Sequence, residues 1–162
     1  MSYPVVSSCI FALHAPELRA RIQAVSDLVA VGVPAIVPLI ACLTDTNPDV
    51  RWRVIVALGW IGDPQAVEPL KAALSDSVWE VRQNAAWALG QIGDSRTAEH
   101  LQKALYDEDE QVCILAAYAM ARIGDTERLQ LGLSAQDEHA RRAASAGLSL
   151  LTNDTHRQRP MI

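Results

Sequence analysis

The chain has 162 residues, 50% of them hydrophobic, with a formal net charge of −5 at pH 7. Its length suits one domain with a substantial core. The acidic balance argues against a protein whose main task is coating nucleic acid, although it leaves room for a local basic patch.

Taken in chain order, the first element expected is an opening helix pair over about residues 4–14 and 17–31. The most apolar stretch follows, from Leu28 to Leu43, and Pro34 and Pro38 punctuate it. It is therefore too broken for the roughly 18 apolar residues of a membrane span. Three further pairs are predicted at Pro34–Leu43 with Pro48–Ile61, Pro64–Leu74 with Val78–Ile92, and Ser95–Leu105 with Glu110–Ile123. A shortened pair, Thr126–Leu133 with Asp137–Leu151, closes the series. The polar stretch 152–162 reads as a flexible tail.

These elements repeat with a period of 31 residues. Leu58-Gly59-Trp60-Ile61-Gly62-Asp63 returns as Leu89-Gly90-Gln91-Ile92-Gly93-Asp94 and as Met120-Ala121-Arg122-Ile123-Gly124-Asp125. Val50-Arg51, Val81-Arg82 and Val112-Cys113 keep the same interval, as do Leu43-Thr44-Asp45, Leu74-Ser75-Asp76 and Leu105-Tyr106-Asp107. A fixed period of this length means stacked units, none able to bury its apolar face alone. Gly62, Gly93 and Gly124 suit the left-handed residue that ends a helix. Asp63, Asp94 and Asp125 are placed to cap the next helix, with Pro64 at its first position, and Asn47-Pro48 repeats that logic. Val81, Ala85, Ala88, Leu89 and Ile92 share one helical face, which reads as packing. The fold class is thus all-α, an α-solenoid superhelix of about five antiparallel helix pairs. Its single domain, 1–151, comprises a capping pair (1–31), repeats (32–125) and a shortened C-terminal repeat (126–151).

Ala66-Val67-Glu68-Pro69-Leu70, Leu74-Ser75-Asp76 and the run Val81-Arg82-Gln83-Asn84-Ala85-Ala86-Trp87-Ala88-Leu89-Gly90-Gln91-Ile92-Gly93-Asp94 resemble the HEAT-like repeats named after phycobilisome lyases. The resemblance covers about residues 17–151 and implies the fold far more than the function. Members of that family include subunits that attach or remove linear tetrapyrroles on phycobiliproteins, and bacterial adaptors. The matching positions are structural, so the resemblance carries over no catalytic residue. Cys113 departs from the consensus Arg and should leave one rung out of any Asp–Arg ladder between repeats.

Function is then expected where the repeats differ. On a wheel of about 100° per residue, the face of the second helices opposite the core carries Trp52, Val56 and Trp60, then Gln83, Trp87 and Gln91, then Ile114, Tyr118 and Arg122. In HEAT-type arrays this is the concave surface, the usual binding face. Apolar and aromatic residues gathered on an exposed face mark an interaction site. Arg53 and Arg122 flank the group and could pair with carboxylates of a partner. Trp79, at the turn between paired helices, reads as rim packing.

Arg51, Arg82 and Arg141, near Asp45, Asp76 and Asp107, fit a structural ladder better than a phosphate site. The acidic run 107–110 reads as a solvated turn. Neither a catalytic nor a metal site is expected. His14, His100, His139 and His156 share no coordinating spacing. The positions at which some HEAT-like hydroxylases place His-Glu metal ligands read Arg51-Trp52, Arg82-Gln83 and Cys113-Ile114. No GxSxG, P-loop or dinucleotide-binding pattern occurs. Cys9, Cys42 and Cys113 form no CxxC pair and read as buried thiols in a reducing, cytoplasmic setting.

The leading expectation is an adaptor that binds another protein through the Trp/Tyr-rich face, with no cofactor and no membrane. The alternative, implied by the resemblance, is a phycobilin lyase subunit or phycobiliprotein chaperone. That reading would make a linear tetrapyrrole the transient ligand and a phycobiliprotein or second HEAT-like subunit the partner. A nucleic-acid partner ranks last.

Overall fold

The computed structural model of the protein describes residues 3–157, with side chains from Pro4 to Leu151. Helices fill it in the order α1 (Tyr3–Ala12), α2 (Leu18–Val31), α3 (Ile36–Ala41), α4 (Pro48–Ile61), α5 (Val67–Ala73), α6 (Trp79–Ile92), α7 (Ala98–Ala104), α8 (Glu110–Arg122), α9 (Thr126–Gly132) and α10 (Glu138–Arg157). No strand occurs among the described residues. The helices alternate as first and second members of five pairs, the predicted all-α solenoid.

The boundaries follow from local chemistry. Asn47 accepts a 2.9 Å hydrogen bond from the Asp49 N–H ahead of Pro48, which starts α4. Gly62 (φ 72°) closes α4 and Gly93 (φ 76°) closes α6, each in the left-handed conformation a side chain resists. Asp63 and Asp94 then accept from the N–H groups of Gln65 (2.8 Å) and Arg96 (2.9 Å). That cap turns the chain into a short 3-10 segment, Pro64–Ala66 or Ser95–Thr97, before the α-helix proper. The first helices are therefore shorter than the spacing predicted. At the other end, α10 runs to Arg157 rather than stopping near Leu151. The remainder of the expected tail, 158–162, lies outside the described residues.

One core runs the length of the array, with Leu39, Leu58, Leu70, Leu89, Leu101 and Met120 fully buried in it. Its two sides are packed differently. Successive second helices stack directly, α4 on α6, α6 on α8 and α8 on α10. The contact is made at glycine. A Cβ on Gly59 would lie 2.9 Å from the Ala88 Cβ, and one on Gly90 would lie 2.8 Å from the Ala119 Cα. The first helices make no comparably close pairing. Grooves of about 340 Å³ and 270 Å³ separate them, the first lined by Ile40, Leu43 and Pro69, the second by Leu74, His100 and Tyr106. A layer tight on one side and open on the other bends toward the tight side. The second helices are therefore expected to form the inner, concave surface.

An arginine ladder fixes the repeats in register. Arg51 donates through Nε and Nη2 to the two carboxylate oxygens of Asp76, at 2.8 and 2.7 Å. Arg82 does the same to Asp107, at 2.8 Å for both bonds. Such bidentate pairs fix direction as well as distance. Each guanidinium also reaches the carbonyl six residues back, Asp45 for Arg51 (2.9 Å) and Asp76 for Arg82 (3.0 Å).

The ends of the ladder depart from expectation. Arg141 finds no carboxylate and donates only to the carbonyls of Ala135 and Gln136, both at 2.7 Å. Arg21 makes the equivalent 2.7 Å bond to the Ala15 carbonyl, which extends the series by one position. Asp45, expected as a ladder acid, accepts instead from His14 at 2.9 Å. The acidic run is more than a solvated turn, since Asp107 is a rung and Asp109 caps α8 through the N–H of Gln111 at 2.9 Å.

Candidate functional site

Trp60 and Trp87 form the centre of the inner face. Trp60 lies in the last turn of α4 with 62% of its surface exposed, and Trp87 lies half-buried in the middle of α6. Their rings meet edge-on, with centroids 5.4 Å apart and planes at 66°, the arrangement that aromatic quadrupoles favour. The Trp87 ring sits above Gly59, where any Cβ would come within 2.6 Å of it, so the glycine holds that indole against α4. Val56, Gln83, Asn84 and Leu115 complete a cleft of about 240 Å³ around the pair. Covering the exposed part of Trp60 with a partner would contribute on the order of 3 kcal/mol of apolar burial.

Tyr118 and Arg122 lie one helix further along. The Arg122 guanidinium stacks over the Tyr118 ring, 5.9 Å from its centroid. Its Nε donates a 2.8 Å bond to the carbonyl of Gly90, near the end of α6 where helix carbonyls lack partners of their own. Arg122 thus caps a neighbouring helix while staying exposed, and among the described residues it makes no ion pair.

The predicted face divides on inspection. Val56, Trp60, Gln83 and Trp87 converge on the cleft, with Tyr118 and Arg122 on the next helix. Ile114 is exposed on α8 and Gln91 is half-buried in the last turn of α6, both outside the cleft. Arg53 is a correction. Only 4% exposed, it pairs with the Asp49 carboxylate, donates to the Asp49 carbonyl at 2.8 Å and stacks 4.0 Å from the Trp52 ring centroid. It cannot meet a partner's carboxylate, because one wheel position beyond Trp52 already faces the packed interior. Trp52 is drawn in too, donating from Nε1 to Asp49 at 3.0 Å. The hydrogen bond from Arg53 is the main reason the Asp49 carboxyl titrates below the ordinary range.

Two further residues, Asn84 and Leu115, line the cleft although each sits one position to the side of the predicted stripe on its helix. Trp79 also revises an expectation. It is 39% exposed and four residues before Gln83 on α6, so it continues the aromatic face to the rim.

Burial raises the Cys113 thiol to about 11, with the charge of Asp107 adding to the effect, so the sulfur stays protonated. Among the described residues no three His, Cys, Asp or Glu side chains come together as metal ligands. No single described helix is long and apolar enough to cross a membrane.

The fold and face define a class. A profile of HEAT repeats matches residues 9–80, 35–122 and 68–151, windows that together span most of the sequence, and the chain belongs to the HEAT-repeat family. No curated protein matches it. Among solved structures it is similar to the complex of CpcE and CpcF of phycocyanin lyase from Nostoc sp. PCC7120. The TM-score is 0.79 at 21% identity, over 90% of this chain and 99% of that one. It is also similar to a designed armadillo repeat protein in complex with the peptide (KR)4, with a TM-score of 0.58 at 19% identity over 91% and 82% of the two chains. A third likeness is to a chain in the complex of Kap95p with RanGDP, with a TM-score of 0.64 at 17% identity over 91% and 24%. At these identities the likeness is one of fold.

Proposed function

We propose that the protein is a scaffold that binds a segment of another protein on its concave face, centred on the Trp60–Trp87 cleft. The observation that carries this reading is the large exposed surface of Trp60 beside an open cleft, on the face where repeat arrays of this family hold ligands. An indole left in water at the mouth of a cleft is an unfilled half of a contact. Solved relatives of the same fold in complexes with proteins or a peptide support the reading. The test is affinity purification of the intact chain and of Trp60→Ala from its native cells. The reading requires at least one stoichiometric protein partner that is lost from the variant while the variant still melts cooperatively, within a few degrees of wild type. Partners that persist on a folded Trp60→Ala would place binding elsewhere.

A second reading has one observation in its favour, the likeness to the phycocyanin lyase complex over nearly the whole of that chain. In it the aromatic face would hold a linear tetrapyrrole, with a phycobiliprotein or a second HEAT-like subunit as partner. The cleft volume, about 240 Å³, falls below the roughly 300–1,000 Å³ of small-molecule sites and suits a single side chain better. Titrating the protein with biliverdin separates the two, since a shifted absorbance band lost in Trp87→Ala would favour the chromophore. Nucleic acid ranks last here, because Arg51, Arg53 and Arg82 are each already paired with a carboxylate.

A further inference from the structure

We propose that the concave face selects partner segments carrying an apolar side chain and a carboxylate about one helical turn apart. The apolar group fills the Trp60–Trp87 cleft and the carboxylate meets Arg122. This rests on the concave-face reading above and adds the chemistry of the partner.

The charge distribution carries the argument. The chain is acidic overall, with a net charge of −5, yet among the described residues no carboxylate pairs with Arg122, the cation beside the cleft. Arg142, the next inner-face arginine along, already lies 2.6 Å from Glu138 and 4.0 Å from Glu110. Arg53 is consumed by Asp49. Among the described residues Arg122 meets only a carbonyl and a phenol, with Nη1 3.5 Å from the Tyr118 hydroxyl, at the limit of a hydrogen bond. The cleft contributes the neutral amides of Gln83 and Asn84 and no acid. An approaching carboxylate therefore finds a positive charge with nothing to displace, whereas a basic segment would face it unscreened.

Geometry supplies the spacing. The bond from Nε to the Gly90 carbonyl pins the guanidinium to α6 three residues past Trp87, a rise of about 4.5 Å along the helix. With Nε committed, the end-on pair of Nη groups remains, and that pair can grip one carboxylate through two bonds. A partner helix laid along α6 would match this with an apolar residue and an acid at i and i+3 or i+4, whose Cβ atoms lie about 5–6 Å apart. Stacking on Tyr118 limits the swing of the arginine, so less freedom is lost on binding.

The test pans a phage-displayed library of random peptides against the immobilised full-length protein, in parallel with Arg122→Glu, Arg122→Lys and Trp87→Ala, each checked for a helical, cooperative melt. Wild type is expected to enrich peptides with a large apolar residue three or four positions from Asp or Glu. Synthetic versions should bind on the order of tenfold more weakly when the acid becomes its amide. Arg122→Glu should exchange the acid preference for Lys or Arg, and Arg122→Lys should keep it even if the capping bond to Gly90 is lost. Apolar peptides with no acid preference, lost on Trp87→Ala, would sink the carboxylate assignment and leave the concave-face reading standing. Peptides that survive Trp87→Ala would overturn both, and a folded wild type that enriches nothing would overturn this proposal. Biliverdin binding that falls in Arg122→Glu, without peptide enrichment, would reassign the cation to a tetrapyrrole carboxylate.

Discussion

Cys113 and Ala135 stand at the two ends of a rung that neither can form. Cys113 replaces the ladder arginine, and its Sγ makes only the carbonyl contact, 3.2 Å to Asp107. Ala135 takes the place of the acid, as its carbonyl shows by accepting from Arg141 just as that of Asp76 accepts from Arg82. The two losses match: an arginine at 113 would find no acid ahead, and an acid at 135 no arginine behind.

Restoring both residues should therefore succeed where either one alone does not. Cys113 is fully buried, so Cys113→Arg by itself buries an unpaired charge and should cost about 1–3 kcal/mol. Adding Ala135→Asp should recover most of that loss. Urea melts of the four proteins give the coupling, expected at about 1–3 kcal/mol. A coupling near zero would mean the two sites are not in register.

Acid should loosen the array, with a defined sign. The Asp45 carboxyl is held below its ordinary range by the Asn47 N–H and by His14. Burial pushes Asp76 upward, but the hydrogen bonds from Arg51 and the Val78 N–H outweigh it. Lowered carboxyls contribute stability that is full above their unfolded value, about 3.9, and is lost as pH falls through the folded one. Melting temperature should hold down to about pH 5 and then drop. The drop should be shallower in Asp76→Asn, which starts less stable because Arg51 is left without its acid.

Gly59→Ala tests the inner seam. The added methyl would overlap both the Trp87 ring and Ala88, and the backbone of α6 cannot yield to it easily. A loss of about 1–3 kcal/mol is expected, together with a change in tryptophan emission as Trp87 is displaced. Gly62→Ala should be destabilising for a different reason, its φ of 72°, with about 1 kcal/mol lost and the emission unchanged.

The two tryptophans of α4 should separate stability from binding. Trp52 is tied to Asp49 and stacked under Arg53, so Trp52→Ala should cost about 3 kcal/mol of folding stability. Trp60 has little to lose beyond its edge contact with Trp87, worth about 0.5–1.5 kcal/mol. Its removal should instead weaken the complex with a partner by about 2 kcal/mol or more. Thermal melts and titrations of both variants with the recovered partner give the four values needed.

Much of this was legible in the chain because the repeat writes each structural rule several times. The positive-φ glycines, the Asn and Asp caps and the inner stripe all follow from residues that recur at one interval. The site was only partly legible. A wheel ranks directions on one helix, but Leu115 reaches the cleft from the neighbouring helix and Arg53 turns back on its own. Inter-helix distance, set by Gly59 and Gly90, decides both, and no periodicity expresses it. The pairing of Cys113 with Ala135 was half visible: the missing arginine stood out, whereas the missing acid fell in the shortened last repeat where the register shifts.

The contacts of Gly59 with Ala88 and of Gly90 with Ala119 also limit how the protein can deform. Backbones already touching on the inside prevent the arc from curling further, while the empty grooves outside leave room for it to flatten. The array should resist closing more than opening. It can spread to admit a larger occupant but cannot clench on a smaller one, so its radius of gyration in solution scattering should rise or stay level on binding and not fall.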